Sequence, residues 1–302
     1  MTPGRKERKA EAFVLCSAVI EGGFPIIINR AVQVFPALSF AGISAFLGAC
    51  IHFGLLLVRG KLVHKVSTRV WVSVIGVTLC NSVFSLLFIF LGTRYTSGIN
   101  TALLMQSEML FSFLIFTLVY GQKASKQQFF GAFVVLLGTV CVLYNGSSTF
   151  NRGDLLIIAG TLFYPFGNQF AKHALLHLPS GFILMIRHLV GGMVFIVLSM
   201  LFEHPTFAVL HLVLEYWWLV VLYGVVVLVG SKLCWYEGLK VLPLTKAIPI
   251  ILSYPVFSMF FASVFLGETV TPYQLAGFFV TLAGLSVLVS RKPLPIPPPP
   301  LV

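Results

Sequence analysis

The chain has 302 residues, 58% of them hydrophobic, only 10% charged, with a formal net charge of +11. Soluble domains carry about 25% charged residues, so a soluble globular protein is excluded. The apolar stretches match the roughly 20 residues needed to span a bilayer core, which makes this an all-α membrane protein. The positive charge sits between apolar segments, with no basic block interleaved with soluble structure, so a nucleic-acid partner is excluded as well.

The N-terminus, MTPGRKERKAEAFVLCSAVI, has the basic start and apolar core of a signal peptide. Glu21-Gly22-Gly23 follows where a small-residue cleavage site would lie, and apolar residues resume at Phe24, so a retained first helix is expected. From there the pattern predicts ten transmembrane helices, at about 12–33, 38–58, 70–91, 97–120, 127–145, 154–176, 180–202, 214–239, 244–266 and 272–290. The tail KPLPIPPPPLV is expected to be an extended polyproline-type segment.

Charge distribution tests that count. With the N-terminus inside, the outer loops hold Arg30, Arg94 and Arg152, Arg187 and Lys232 fall within spans, and the other fifteen of the 20 Lys and Arg lie inside, Lys61, Lys65, Lys123, Lys246, Arg291 and Lys292 among them. Both termini are therefore expected in the cytoplasm, and short loops with no targeting segment point to a bacterial inner membrane.

Residues 92–138 slide onto 238–284 without a gap, and eleven of 47 positions are identical, including Ser107/Ser253, Gly121/Gly267, Gln128/Gln274, Gly131/Gly277 and Gly138/Gly284. FPIIIN (24–29) resembles YPFGNQ (164–169) at the head of each half. Five helices per half is an odd number, so the two copies must be inverted repeats. The expected organisation is a basic N-terminus (1–11), a first repeat (12–147), a second repeat (153–290) and a Pro-rich tail (291–302). Inverted repeats characterise secondary transporters, whose substrate sites lie near mid-membrane between the halves.

The stretches RYTSGINTALL (94–104), YGQKASKQQFFGAFVVLLG (120–138), LPLTKAIPIILSYP (242–255) and LGETVTPYQLAGFFVTLAG (266–284) resemble the drug/metabolite transporter superfamily, in particular its EamA-type two-repeat members. That resemblance implies ten helices and the transport of small metabolites or drugs, often outward. Two departures stand out: the first Gly-Glu pair reads Gly121-Gln122, and Met109 occupies the place of Pro255, with Glu108 beside it. The resemblance therefore assigns no role to Glu108.

In an ideal helix Ser97, Thr101, Glu108 and Ser112 fall within about 60° of one another. Such a polar stripe should face protein or water, because a lone charge at mid-bilayer is costly. Matching stripes are expected from Thr78, Asn81 and Ser85 in the third span, from Thr161, Tyr164, Asn168 and Lys172 in the sixth, and from Tyr254, the repeat mate of Glu108, with Ser258 in the ninth. Glu108 reads either as a substrate or proton site or as a structural buried carboxylate. Glu21 reads as the same or as part of a Glu-Gly-Gly hinge. Arg187 and Lys232 are candidates to pair with either acid, to meet a substrate carboxylate, or to snorkel to the surface. Tyr236, with Trp235, is a candidate ligand-stacking residue or core packing. The candidate substrate-binding set is thus Glu108, Glu21, Asn81, Thr101, Tyr164, Asn168, Arg187, Lys232, Tyr236 and Tyr254.

His188 reads as a packed histidine; Pro25, Pro165, Pro249 and Pro255 as kinks; and Trp71, Trp217 and Trp218 as interface anchors. Gly131, Gly138, Gly277 and Gly284 read as close-packing positions. The five cysteines show no metal or disulfide spacing and read as small buried apolar residues.

The function these features favour is a secondary transporter for a small organic, amino acid-like or amphipathic solute, working by alternating access, with export the expected direction and protons a candidate coupling ion. No cofactor is expected, and a monomer or homodimer both fit. An intramembrane lipid-modifying enzyme is the alternative, but there is no HExxH or GxSxG and the seven histidines are dispersed. A non-transporting receptor is disfavoured by the short loops, and ATP-driven pumping by the missing P-loop.

Overall fold

In lipid every backbone polar group needs an internal partner, and an apolar chain without barrel patterning meets that demand as helices. The computed structural model describes residues 3–60, 66–119, 125–144, 151–205, 207–242, 247, 250–251 and 253–289. Lys61, Lys65, Gly121, Gln122, Lys123, Lys246, Pro249, Arg291, Lys292 and the tail lie outside them. The described elements are α1 (Pro3–Val34), α2 (Ala37–Val58), α3 (Thr68–Thr93), α4 (Gly98–Leu104), α5 (Ser107–Leu114), α6 (Lys126–Tyr144), α7 (Arg152–Thr161), α8 (Tyr164–Leu175), α9 (Ser180–Phe202), α10 (Ala208–Glu215), α11 (Trp217–Leu239), α12 (Tyr254–Phe265) and α13 (Pro272–Val289). No strand occurs among the described residues. Six helices, α1, α2, α3, α6, α9 and α11, are long and apolar enough to cross a membrane. Phe46, Ile75, Phe130, Phe202 and Phe279 point outward, as lipid contact permits.

Helix α1 begins at Pro3, inside the basic segment 1–11. Several expectations need correction. Glu21-Gly22-Gly23 does not break the helix. Gly22 serves close contact instead: a Cβ there would sit 2.5 Å from Cβ of Phe257 in α12. The span expected at 97–120 is interrupted at Met105–Gln106, where Glu108 N–H bonds to Met105 O and Met109 N–H to Gln106 O, three residues back rather than four. The span at 154–176 is interrupted at Leu162–Phe163, just before Pro165, which has no N–H to continue the ladder. The two interruptions face each other, with Ser107 Oγ 2.8 Å from Thr161 Oγ1. None of the five cysteines is fully buried; all are free and either exposed or half-buried, since lipid accepts a thiol as readily as a core does. Trp217 and Trp218 are exposed, while Trp71 packs edge-on to Phe182 at 6.3 Å.

Two long helices contain wide, π-type turns: Thr78–Phe84 in α3 and Leu222–Ser231 in α11. Shifting the first by the 146-residue repeat offset lands it at 224–230, inside the second. The glycine expectation also holds in space. A Cβ on Gly138 would lie 2.7 Å from Thr281 N and 2.8 Å from Gly277 O, and one on Gly284 would lie 2.8 Å from Gly131 O, so α6 and α13 touch backbone to backbone. Helix α2 packs on α9, where a Cβ on Gly42 would meet Gly192 O at 3.2 Å. Helix α3 packs on α7 and α8, and α1 on α11 and α12. An aromatic core of Phe24, Phe35, Phe40, Phe90 and Tyr223 joins α1, α2, α3 and α11.

Two carboxylates tie helices together at the end carrying the α1–α2 and α3–α4 connections. Glu203, just past α9, accepts from Leu38 N (2.9 Å) and Ser39 N (3.0 Å) at the start of α2. Glu268, past α12, accepts from Gly98 N (2.8 Å) and Ile99 N (2.9 Å) at the start of α4. Gly267, at φ +66°, lets the chain turn so that Glu268 points back, a conformation glycine adopts without strain.

Candidate functional site

Three polar assemblies line the interior of the helix packing. In the first, the partly buried Glu108 opens α5, directly after the interruption. Its Oε1 accepts from Asn168 Nδ2 of α8 at 2.8 Å, and Asn168 Oδ1 accepts from Asn81 Nδ2 of α3 at 3.0 Å. Asn81 lies in the wide-turn segment, and its own Oδ1 has no hydrogen-bond partner among the described residues. Gly167 is required beside it, because any Cβ there would collide with the Asn81 amide.

In the second, Lys232 Nζ of α11 lies 2.7 Å from Glu21 Oε1 of α1. The same oxygen accepts from Ser231 Oγ at 2.5 Å, and Ser17 Oγ is 3.0 Å from Ser231 Oγ. Glu21 and Lys232 thus neutralise each other, with side-chain exposures of 13% and 26%.

The third surrounds Arg187 of α9, which is only 5% exposed. Its Nε donates to Ser82 Oγ at 3.1 Å and its Nη1 to Tyr236 Oη at 2.5 Å. The guanidinium also sits 5.7 Å from the Tyr236 ring centroid, within cation–π range. Arg187 therefore does not snorkel, and Tyr236 is occupied as its platform. No carboxylate among the described residues lies within ion-pair distance of Arg187.

These assemblies share one region. Ser82, the partner of Arg187, follows Asn81 in α3, and Tyr236 lies one turn beyond Lys232 in α11; a Cβ on Gly22, next to Glu21, would lie 3.1 Å from Tyr254 O, and Tyr164 packs against the aromatic core. Tyr254 donates to Ala102 O at 2.8 Å, and neighbouring Ser258 to Gly22 O at 2.8 Å. Nine of the ten candidates are thereby brought together. The exception is Thr101, which is fully buried and donates to Ser97 O in its own turn at 2.9 Å. The helix carrying Ser97, Thr101, Glu108 and Ser112 is interrupted between Thr101 and Glu108 by the turn at 105–106, and Ser97 caps α4 by accepting from Asn100 N. His188 is buried and packs on His52 with ring centroids 5.2 Å apart.

Sequence reasoning missed Ser17, Ser82, Ser231 and Tyr223. The Tyr223 hydroxyl is buried, with no hydrogen-bond partner among the described residues. Adjacency to Asn81 and Lys232 was the available signal for Ser82 and Ser231; a single tyrosine inside an apolar run gave none. Among the described residues no group of three His, Cys, Asp or Glu is placed to hold a metal ion. The arrangement offers a carboxylate held by neutral amides, an internally neutralised ion pair and a buried cation with neutral partners. Such a set suits reversible binding of a small polar solute.

The family model described as "EamA-like transporter family" matches residues 8–144 and again 151–290. A Salmonella typhimurium protein named "Probable amino-acid metabolite efflux pump" is 25% identical over 232 residues, 71% of this chain and 74% of that protein. A Bacillus subtilis protein named "Uncharacterized transporter YyaM" is 23% identical over 75% of this chain and 74% of its own. One solved structure, described only as the crystal structure of a protein, superposes with a TM-score of 0.67 at 18% identity, over 92% of this chain and 95% of that one; the likeness is of fold alone.

Proposed function

The chain belongs to the EamA-like transporter family, and from that premise we propose a secondary transporter that moves a small organic, amino acid-like or amphipathic metabolite by alternating access. The observation that carries this reading is the buried polar region in which Glu108, Glu21, Lys232 and Arg187 meet between apolar helices. Intramembrane ionisable groups facing a bundle interior mark substrate and ion pathways.

The proposed organisation is ten crossings in two inverted five-helix repeats, residues 12–147 and 153–290. The double family match and the coincidence of the wide turns under one offset support it. So does the packing: exchanging the halves turns α3-on-α8 into α11-on-α1, and leaves α2-on-α9 and α6-on-α13 unchanged. Two such halves rocking against each other give two states of comparable energy, one open to each side. Export is the proposed direction, in keeping with the efflux named for the Salmonella relative. Glu108 is the proposed proton site, released from Asn168 when the interior opens. A bacterial inner membrane with cytoplasmic termini is the proposed setting.

The test is flux in proteoliposomes. Labelled amino acids should move faster than in empty vesicles, with a rate that follows an imposed pH gradient. Glu108→Gln should abolish that dependence. Wild-type flux equal to empty vesicles across the panel would sink the reading.

A further inference from the structure

Lys232 and Arg187 are both basic side chains of the interior region, and they are not equivalent. Lys232 already has a carboxylate, Glu21, at 2.7 Å. Arg187 has none among the described residues, yet is the more deeply buried, at 5% exposure. Its partners are two neutral hydroxyls and the face of a phenol ring. An uncompensated buried cation is strongly unfavourable, and a guanidinium cannot escape by losing its proton.

The geometry of the donors that remain is informative. Guanidinium has five N–H donors in a flat fork. Ser82 occupies Nε, which closes the Nε–Nη side of the fork. Tyr236 takes one hydrogen of Nη1. One hydrogen of Nη1 and both of Nη2 have no hydrogen-bonded partner among the described residues. Neighbouring guanidinium donors of this kind grip a carboxylate with two parallel bonds. Tyr236 and Ser82 hold the fork in place from α11 and α3, so little side-chain freedom is lost on binding.

We propose that Arg187 is the carboxylate anchor of the transported solute, and that the substrates are organic acids or zwitterions carrying a free carboxylate. This inference rests on the transporter reading above and adds to it the substrate class and the residue that selects it. The Glu21–Lys232 pair then plays no part in recognising the acid.

The experiment uses matched probes on the full chain in proteoliposomes: L-phenylalanine, L-leucine and L-serine, each beside its C-terminal amide, with counterflow and competition both measured. Wild type should prefer acid over amide by at least about tenfold, the scale of hydrogen bonds to a charged group. Arg187→Gln should remove the preference, Arg187→Lys should keep a reduced one, and Gly54→Ala, with open space around its Cβ position, should leave it intact. Acids and amides moving equally well in wild type would overturn the anchor while leaving the transporter standing. A preference that survives in Arg187→Gln would also overturn it. No flux of any probe would remove the transporter reading for amino acid-like solutes, and the anchor with it. Should Arg187→Gln fail to fold, Tyr236→Phe replaces it as the readout; a change of preference of about threefold or more supports the anchor, and an unchanged preference overturns it.

Discussion

Replacing Glu268 with alanine removes two acceptors that satisfy otherwise unpaired N–H groups at the start of α4, Gly98 at 2.8 Å and Ile99 at 2.9 Å. A hydrogen bond to a charged group contributes about 1.5–3 kcal/mol, and loss of a helix cap costs about 0.5–2 kcal/mol. Water reaches this half-buried site and can replace part of the loss, so the expected destabilisation is about 2 kcal/mol, within the cap range. Glu268→Gln keeps one carbonyl acceptor but gives up the charge that favours a helix N-terminus, a loss of about 1 kcal/mol. Glu203 acts on α2 and shares no partner with Glu268, so the double alanine variant should lose the sum of the single effects within about 0.5 kcal/mol. Unfolding in mixed micelles, followed by fluorescence of the four tryptophans, measures each value. An alanine variant within about 0.3 kcal/mol of wild type, below the smallest cap effect, would refute the capping argument, as would a glutamine variant as damaging as alanine.

Lys232→Met should cost about 3 kcal/mol, the lower end for a broken buried pair, because both side chains keep some exposure; the same unfolding assay should find the Glu21→Gln, Lys232→Met double variant more stable than Lys232→Met alone. Gly138→Val should destabilise by about 1–3 kcal/mol through overpacking against Gly277 and Thr281, whereas Gly54→Ala, with open space around its Cβ position, should not destabilise. Asn168→Ala cuts both links of the Asn81–Asn168–Glu108 chain, and should lower counterflow at least about tenfold, more than stability loss explains, since the bond that Asn168 donates to Glu108 is of the charged class.

Apolar runs and glycine spacing made the helices legible, because lipid imposes one simple rule on every span. The spacing of Gly131, Gly138, Gly277 and Gly284 reads directly as a contact between α6 and α13. What stayed hidden were departures from ideal helix. The interruption at Met105–Gln106 has no proline or glycine to announce it, and it falls in the middle of the stripe that included Thr101. Long-range pairing was equally hidden: Lys232 had two candidate acids, and only the packing of α1 on α11 selects Glu21. Arg187 looked able to reach the surface from its place in the span, but Tyr236 and Ser82, 49 and 105 residues away, hold it inside.

The contact between α6 and α13 has a mechanical consequence. Two helices whose backbones touch at four glycines cannot roll about their own axes without atoms colliding, and cannot slide without lifting over Thr281 and Val142. In the alternating access proposed above, α6 and α13 would therefore move together as one rigid pair.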